Sequence, residues 1–228
     1  MDDAHANRLA GWAGVVFSVL SLIVLPLLGP GIPPVVGSSG EAFVAYFGEH
    51  RLGFLVGNYL GIAAFFPGFV QLVIVANRFR RAEGPEGWFA PLILTTGTFG
   101  YAVFGCSLAM FQVLPFLATP GTTQEAHAMG TLASVWFALD GLAGLPLVVA
   151  VGWASRATAA TAAPLVLPPW FARFSTVTAV ILLVMSVGGL TSNPAWLAGG
   201  GFVTAAGFVA FFVWTLVLAI VFLKKKKT

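Results

Sequence analysis

The sequence predicts an all-α fold, a polytopic membrane bundle of six transmembrane helices, and three observations support this prediction. Of the 228 residues, 58% are hydrophobic and only 8% are charged, whereas a soluble domain usually carries about 25% charged residues. Six apolar runs are long enough to cross a bilayer, and the basic residues fall almost entirely on one side of a six-span threading. A water-soluble fold, a disordered chain and a nucleic-acid-binding protein are therefore excluded.

The six predicted spans form one domain over residues 1–228 and leave only short connections. A helix needs roughly 20 mostly apolar residues to cross the hydrocarbon core. The runs are much longer than the roughly 10 alternating residues of a barrel strand, so helices must satisfy the backbone hydrogen bonds in lipid. In chain order the spans are Leu9–Leu28, Leu52–Ala76, Phe89–Leu114, Leu132–Trp153, Phe171–Leu190 and Phe202–Leu223.

The basic residues predict the orientation of the bundle. Of the eleven lysines and arginines, only Arg51 lies on the outer side of the threading. Because cytoplasmic loops carry the excess of Lys and Arg, we expect both termini in the cytoplasm. The inner set is Arg8, Arg78, Arg80, Arg81, Arg156, Arg173 and Lys224–Lys227, and the predicted aromatic belt beside it is Trp12, Trp88, Trp153 and Trp170.

The longest outer connection, Gly29–His50, contains a segment with helical periodicity. Phe43, Tyr46 and Phe47 recur at helical spacing within Glu41–Glu49, which carries an acidic residue at each end. This pattern predicts a short amphipathic helix at the outer interface. Two interpretations follow: an interfacial anchor, which we favour, and a lid over a cavity.

Small residues mark where helices approach closely in a membrane. The second span carries Gly53, Gly57 and Gly61, each four residues apart. The first span has the same spacing in Ala10, Gly14 and Ser18. We expect these two ridges to contact each other within the chain, and the alternative is that the glycine ridge forms a dimer interface.

Proline interrupts the second predicted span at Pro67 and the fourth at Pro146. Each removes a backbone donor and bends its helix. Because kinked helices widen a bundle locally, we expect a cavity between the second and fourth spans.

Asp140 is the one acidic residue inside a predicted span, near the middle of the fourth. A charged Asp at a helix centre costs about 2.5–3.5 kcal/mol to insert, so its presence indicates a functional site or a specific hydrogen bond. Depth predicts Tyr101, Asn58 and Tyr59 as polar neighbours, and Trp136 lies one turn away on the same helix. The two interpretations are a proton-coupling or cation-binding carboxylate and a neutral aspartic acid that fixes helix register.

The remaining reactive residues do not form a site that the sequence can define. His5, His50 and His127 lie in a tail or at the outer rim, so neither a haem nor a metal is expected at membrane depth. No nucleophile, base and metal-ligand set occurs together, and no phosphate-binding or metalloprotease motif is present. We therefore expect no catalytic activity and no cofactor.

Two functional hypotheses remain. The first is a membrane protein that binds or transports a small lipophilic ligand in a cavity near Asp140. The second is a non-catalytic accessory or scaffold subunit whose glycine ridge packs against a second copy or a membrane partner. In both, the lipid bilayer surrounds the chain.

Four short motifs occur along the chain: Gly53-x-x-x-Gly57-x-Tyr59-Leu-Gly61, Arg80-Arg81-Ala82-Glu83-Gly84, Gly144-Leu-Pro146 and Leu167-Pro168-x-Trp170. With these motifs the sequence resembles a broad family of bacterial six-helix membrane proteins of unknown function. The resemblance covers most of the chain and implies the same six-helix architecture in a bacterial inner membrane. It implies no activity.

Overall fold

The computed structural model describes residues 3–28, 34, 37–84, 86–159, 166–187 and 202–224, and all regular structure in these ranges is helical. Six of the described helices are long and apolar enough to cross a membrane. The predicted all-α fold is therefore confirmed, and the chain is a multi-pass membrane protein. The helices are α1 Asp3–Leu28, α2 Gly40–Glu49, α3 Arg51–Glu83, α4 Phe89–Leu117, α5 Thr123–Ala159, α6 Pro169–Ser186 and α7 Phe202–Lys224.

Most helices extend beyond the apolar runs that predicted them. The clearest case is α3, which continues past Ala76 and ends at Gly84, whose φ of 88° an L side chain rarely adopts. Backbone hydrogen bonds carry a helix into polar sequence until such a residue stops it. The predicted end of the fifth span at 188–190 and the lysines at 225–227 lie outside the described residues.

The six long helices form a closed ring. In order around it, α1 packs on α3, α3 on α4, α4 on α5, α5 on α6, α6 on α7, and α7 returns to α1. Buried hydrogen bonds tie α7 to its neighbours. The Ser18 and Thr215 hydroxyls lie 2.8 Å apart, Gln71 Nε2 donates to the Thr215 carbonyl at 3.4 Å, and Trp214 Nε1 donates to Ser175 Oγ at 2.9 Å.

One end of the bundle carries most of the described charge, and we call it the charged end. Here α1, α4 and α6 begin and α3, α5 and α7 end. Asp3 forms ion pairs with Arg78, at 2.6 Å, and with Arg81. Arg51 lies at the opposite end, 5.5 Å above the centre of the Phe116 ring. The described basic residues are thus separated as the six-span threading predicts.

The helix α2 covers the end of the bundle opposite the charged end. Ser39 caps it by accepting a hydrogen bond from the Ala42 N–H. Phe43 and Phe47 are buried against the bundle, so the expectation of an anchor with its apolar face in the membrane interface is wrong. Protein packing satisfies the apolar face instead of lipid. We call this contact the α2 cluster, and it consists of Phe43, Phe47, Phe54, Phe111, Leu114, Ala126 and Ala133.

The two small-residue ridges do not meet, contrary to the expectation from sequence. A Cβ built on Gly53 would lie 3.2 Å from the Leu27 carbonyl oxygen, and one on Gly61 would lie 3.7 Å from a Val24 methyl group. Both partners belong to the end of α1. Gly14, near the beginning of α1, faces α7 and the second half of α3. Because α1 and α3 run antiparallel, ridges near the beginning of each helix lie at opposite ends of the pair.

Candidate functional site

The centre of the bundle holds a hydrogen-bonded pair formed by a carboxylate and a hydroxyl. Ser107 on α4 donates its Oγ hydrogen to Oδ1 of Asp140 on α5, at 2.8 Å. Both side chains are buried. The second carboxylate oxygen, Oδ2, is also buried, and no described residue supplies it with a hydrogen-bond partner. Buried carboxylate oxygens are normally paired, so Oδ2 is available to a proton, a water or a ligand.

Asp140 borders a cavity of about 40 Å³ inside the ring of helices. A buried site needs roughly 10–15 Å³ of such volume for one water, whereas drug-sized ligands occupy pockets of about 300–1,000 Å³. The cavity therefore admits a water or a small polar group in this conformation. Apart from Asp140 and Tyr101, the described lining has no ionisable side chain.

Four lining glycines, Gly97, Gly100, Gly141 and Gly144, shape this cavity. A Cβ on Gly100 would lie 3.0 Å from the Ala143 carbonyl oxygen, and one on Gly141 would lie 2.8 Å from the Leu182 carbonyl oxygen. These two glycines let α5 approach α4 and α6 closely. At Gly144 the nearest atoms would lie 3.6 Å away, an ordinary contact, so the missing side chain leaves space.

Aromatic rings form much of the rest of the wall, and they come from α1, α4 and α7. Phe17 packs edge-on against Tyr101 and Phe212, with ring centres 5.6 and 5.8 Å apart. Phe104 and Phe208 follow at 5.5 Å. The six lining aromatics are Phe17, Tyr101, Phe104, Phe208, Phe211 and Phe212. A carboxylate among aromatic rings is chemically suited to a small organic cation, because both attract positive charge.

Only one of the four predicted neighbours of Asp140 lines its cavity. Tyr101 does so, and it is buried. Tyr59 is 70% exposed and points away from the core. Asn58 is buried elsewhere on α3, and no described residue is hydrogen-bonded to its amide. Trp136 donates Nε1 to the Val103 carbonyl at 3.3 Å, which links α5 to α4 outside the cavity.

The four neighbours were predicted from their depth in the membrane. Depth alone does not give the direction in which a side chain points. Asn58 and Tyr59 are at the same depth but about 100° apart around α3, so they cannot face the same neighbour. The residue that does bond Asp140, Ser107, was missed. Its signal was a hydroxyl in the facing span, Gly105-Cys-Ser107, one of several small polar residues in these helices.

The cavity also differs in position from the one expected between the second and fourth spans. Its described lining comes from α1, α4, α5, α6 and α7, and none of it from α3. The reason is the ring order, in which α4 lies between α3 and α5. Pro146 does lie beside it, between the lining residues Gly144 and Leu147.

The fold and this cavity define a class, a polytopic α-helical membrane protein with a buried acidic cavity. Comparisons with protein-family models, with curated proteins and with solved structures find no match to the chain. The resemblance to bacterial six-helix membrane proteins consequently stays a prediction, and the function must be argued from the site alone.

Proposed function

We propose that the protein binds a small lipophilic cation, such as a primary amine, in the cavity at Asp140. The observation that carries this proposal is that Asp140 lines the cavity and that its buried Oδ2 has no described hydrogen-bond partner. An ionised carboxylate at this depth needs a counter-ion, and no arginine, lysine or histidine belongs to the described lining. An ammonium group supplies that charge and three hydrogen-bond donors.

The aromatic wall supports a cation over a neutral ligand. A cation over an aromatic face gains about 2 kcal/mol or more when water is excluded, and a neutral alcohol gains the hydrogen bond alone. The volume of about 40 Å³ admits an ammonium head with little more than a methyl group. A longer amine requires the helices to separate, and Pro146 in α5 is a place where bending costs little.

The cellular setting is part of the proposal: a bacterial inner membrane, with the charged end and both termini in the cytoplasm. The separation of basic residues between the two ends supports this orientation. It is tested by labelling single cysteines in a Cys106→Ala background. A membrane-impermeant thiol reagent on intact cells should modify Ala118→Cys, at the end opposite the charged end, and leave His5→Cys unmodified until the cells are opened. If only His5→Cys were labelled on intact cells, the orientation would be the opposite of the proposed one.

Ligand binding is tested by thermal unfolding of the purified protein between pH 5 and 9. We expect methylammonium and ethylammonium to raise the Tm by roughly 5–10 °C at a 100-fold excess over Kd, with methanol and ethanol as neutral controls. The Asp140→Asn variant keeps an acceptor for Ser107 but loses the charge, so its response should disappear. Glu125→Gln removes the same charge from an exposed site on α5 and should respond normally.

Two outcomes would contradict cation binding. The first is an equal response of the wild type and Asp140→Asn, and the second is an equal response to amines and alcohols. A wild-type response should weaken at low pH, because a proton on Asp140 competes with the ammonium group. Uptake of radiolabelled methylammonium into proteoliposomes then separates a transporter from a protein that only binds.

The alternative, an accessory subunit that packs through its glycine ridge, draws no support from the described contacts. Gly53 and Gly61 face α1 and α4 of the same chain. Gly57→Leu distinguishes the two proposals, because loss of an oligomer with a folded monomer retained would favour the accessory subunit. Misfolding would instead indicate packing within the chain.

A further inference from the structure

A second concave site lies between α5 and α6 at the charged end, apart from the cavity at Asp140. It is a groove of about 500 Å³, and no residue lines both sites among those that the structure describes. Gly152 lines the groove, and a Cβ built on it would lie 2.8 Å from the Ser175 side chain. The absence of a side chain at Gly152 therefore lets α5 and α6 approach closely beside the groove.

Two arginines lie at the mouth of this groove, Arg156 near the end of α5 and Arg173 in the first turns of α6. Both are exposed. The described ion pairs join Asp3 to Arg78 and Arg81 on other helices, and none involves these two arginines. No aspartate or glutamate follows Asp140 in the sequence, so neither the α5–α6 connection nor α6 and α7 can neutralise them.

Below the arginines the groove is lined mainly by apolar residues, and the hydroxyls of Ser175 and Thr176 are already hydrogen-bonded within the protein. From Arg156 it extends along α5 to Val148, which at 1.5 Å per residue is about 12 Å towards the middle of the bundle. Trp153 stands beside it, half-exposed at the depth of the predicted aromatic belt. The site thus combines two cations at the membrane surface with an apolar channel that continues into the hydrocarbon region.

We propose that this groove binds an anionic phospholipid, with the phosphate at Arg156 and Arg173 and one acyl chain along Val149 and Ala179. Arginine presents a planar fork that matches a phosphate group with two parallel hydrogen bonds. Basic pockets between transmembrane helices at the cytoplasmic side are typical sites for acidic lipid head groups. The length of the apolar channel favours a lipid as the ligand, because free inorganic phosphate would contact the arginines and leave the channel empty.

The test compares lipids on the purified full-length protein in detergent. Dioleoylphosphatidylglycerol, dioleoylphosphatidylcholine and inorganic phosphate are titrated separately, with adducts counted by native mass spectrometry and Tm measured in parallel. The test variant is Arg156→Gln with Arg173→Gln. The control variant is Arg8→Gln with Arg80→Gln, which removes the same charge from exposed positions at the same end.

We expect phosphatidylglycerol to bind and stabilise the wild type and the control variant. The test variant should lose about thirty-fold in apparent affinity, because each basic residue near an acidic lipid contributes about fivefold. Val149→Trp, at an exposed position in the channel, should also weaken lipid binding without changing the charge. Equal binding of phosphatidylcholine, an equal loss in the control variant, or full stabilisation by inorganic phosphate would each overturn the proposal. All variants should elute as the wild type does in size exclusion.

Discussion

The α2 cluster and the cavity at Asp140 are both built largely from phenylalanines, yet one is filled and the other is not. Phe137 packs against both, 5.3 Å from Phe111 on one side and 4.3 Å from Phe208 on the other. The difference lies in what each glycine faces. A methyl group at Gly130 would overlap the Phe43 ring, whereas a methyl group at Gly144 would make only ordinary contacts. In one region a ring occupies the place of the missing side chain; in the other the place stays empty.

The two regions also differ in their polar groups. Beside the α2 cluster, His127 Nδ1 is 2.9 Å from the Ser38 carbonyl oxygen, and the buried oxygens without a described partner, on Gln112 and Thr131, belong to uncharged side chains. Burial there raises the pKa of Tyr46 to about 12, so its hydroxyl stays protonated at physiological pH. The cavity instead contains a carboxylate with one oxygen lacking a described partner. An unfilled space and a carboxyl oxygen without a described partner occur together, which favours a binding site over packing alone.

The largest effect is expected where the aromatic packing is complete. Phe43→Ala should destabilise the protein by about 3–5 kcal/mol, because it removes a fully buried ring from the α2 cluster. Phe116→Ala, at an exposed ring beneath Arg51, is the control and should cost no more than about 1 kcal/mol. Equilibrium unfolding in detergent measures both. Equal losses would mean that α2 does not hold the end of the bundle.

The glycine comparison predicts the next effect. Gly130→Ala should cost about 1–3 kcal/mol, because the new methyl group must displace the Phe43 ring. Gly144→Ala should change the stability by less than about 1 kcal/mol, since its methyl group fits. The same variant fills part of the cavity and should abolish the thermal response to ethylammonium. A normal response would place the ligand elsewhere.

The sequence was sufficient to predict the spans, because each is a long and mostly apolar run bounded by polar or breaking residues. Asp140 was also identifiable as a candidate site residue, because inserting a carboxylate into an apolar span is costly and such residues are rare. The contacts of these elements were not predictable. Depth along a helix follows from counting residues, but rotation about the axis and the ring order depend on packing between helices, where Gly, Ala and Ser recur too often to identify one partner.

The position of α2 shows the same limit. Its periodicity correctly indicated an amphipathic helix, and Ser39 is a recognisable cap. An apolar face can pack on lipid or on protein, and the pattern is identical in both cases. The packing of α2 on protein depends on Gly130 of α5, which is more than eighty residues away in the sequence. Because Gly130 has no side chain, the Phe43 ring fits against it. No local pattern contains that information.

A smaller effect is expected for the hydrogen bond at the cavity. Ser107→Ala removes the described donor to Asp140 and should cost about 0.6–1.7 kcal/mol, the range for hydrogen bonds between membrane helices. Thr96→Val on the same helix is the control, since that hydroxyl bonds only to carbonyls of its own helix, at 2.7 and 3.3 Å. If the two variants unfold alike, the Ser107–Asp140 bond does not join α4 to α5.

The smallest effect concerns the beginning of α2. Glu41 accepts hydrogen bonds from its own backbone N–H and from the Ser39 side chain, and both lower the pKa of its carboxyl. A carboxyl whose pKa is lower in the folded state stabilises that state above its unfolded pKa. This stabilisation is lost as the pH falls through the folded pKa. Glu41→Gln should therefore speed hydrogen exchange in the first turn of α2 at pH 7, and the difference from the wild type should vanish in acid.

Glu49→Gln is the matched control, because it removes the same charge from the other end of the same exposed helix. A carboxylate near a helix N-terminus also interacts favourably with the helix dipole, and one near the C-terminus does not. Glu49→Gln should thus leave exchange in the first turn unchanged. A difference for Glu41→Gln that persists in acid would assign its effect to something other than charge, and no difference at pH 7 would show that Ser39 caps the helix covering the filled region without help from Glu41.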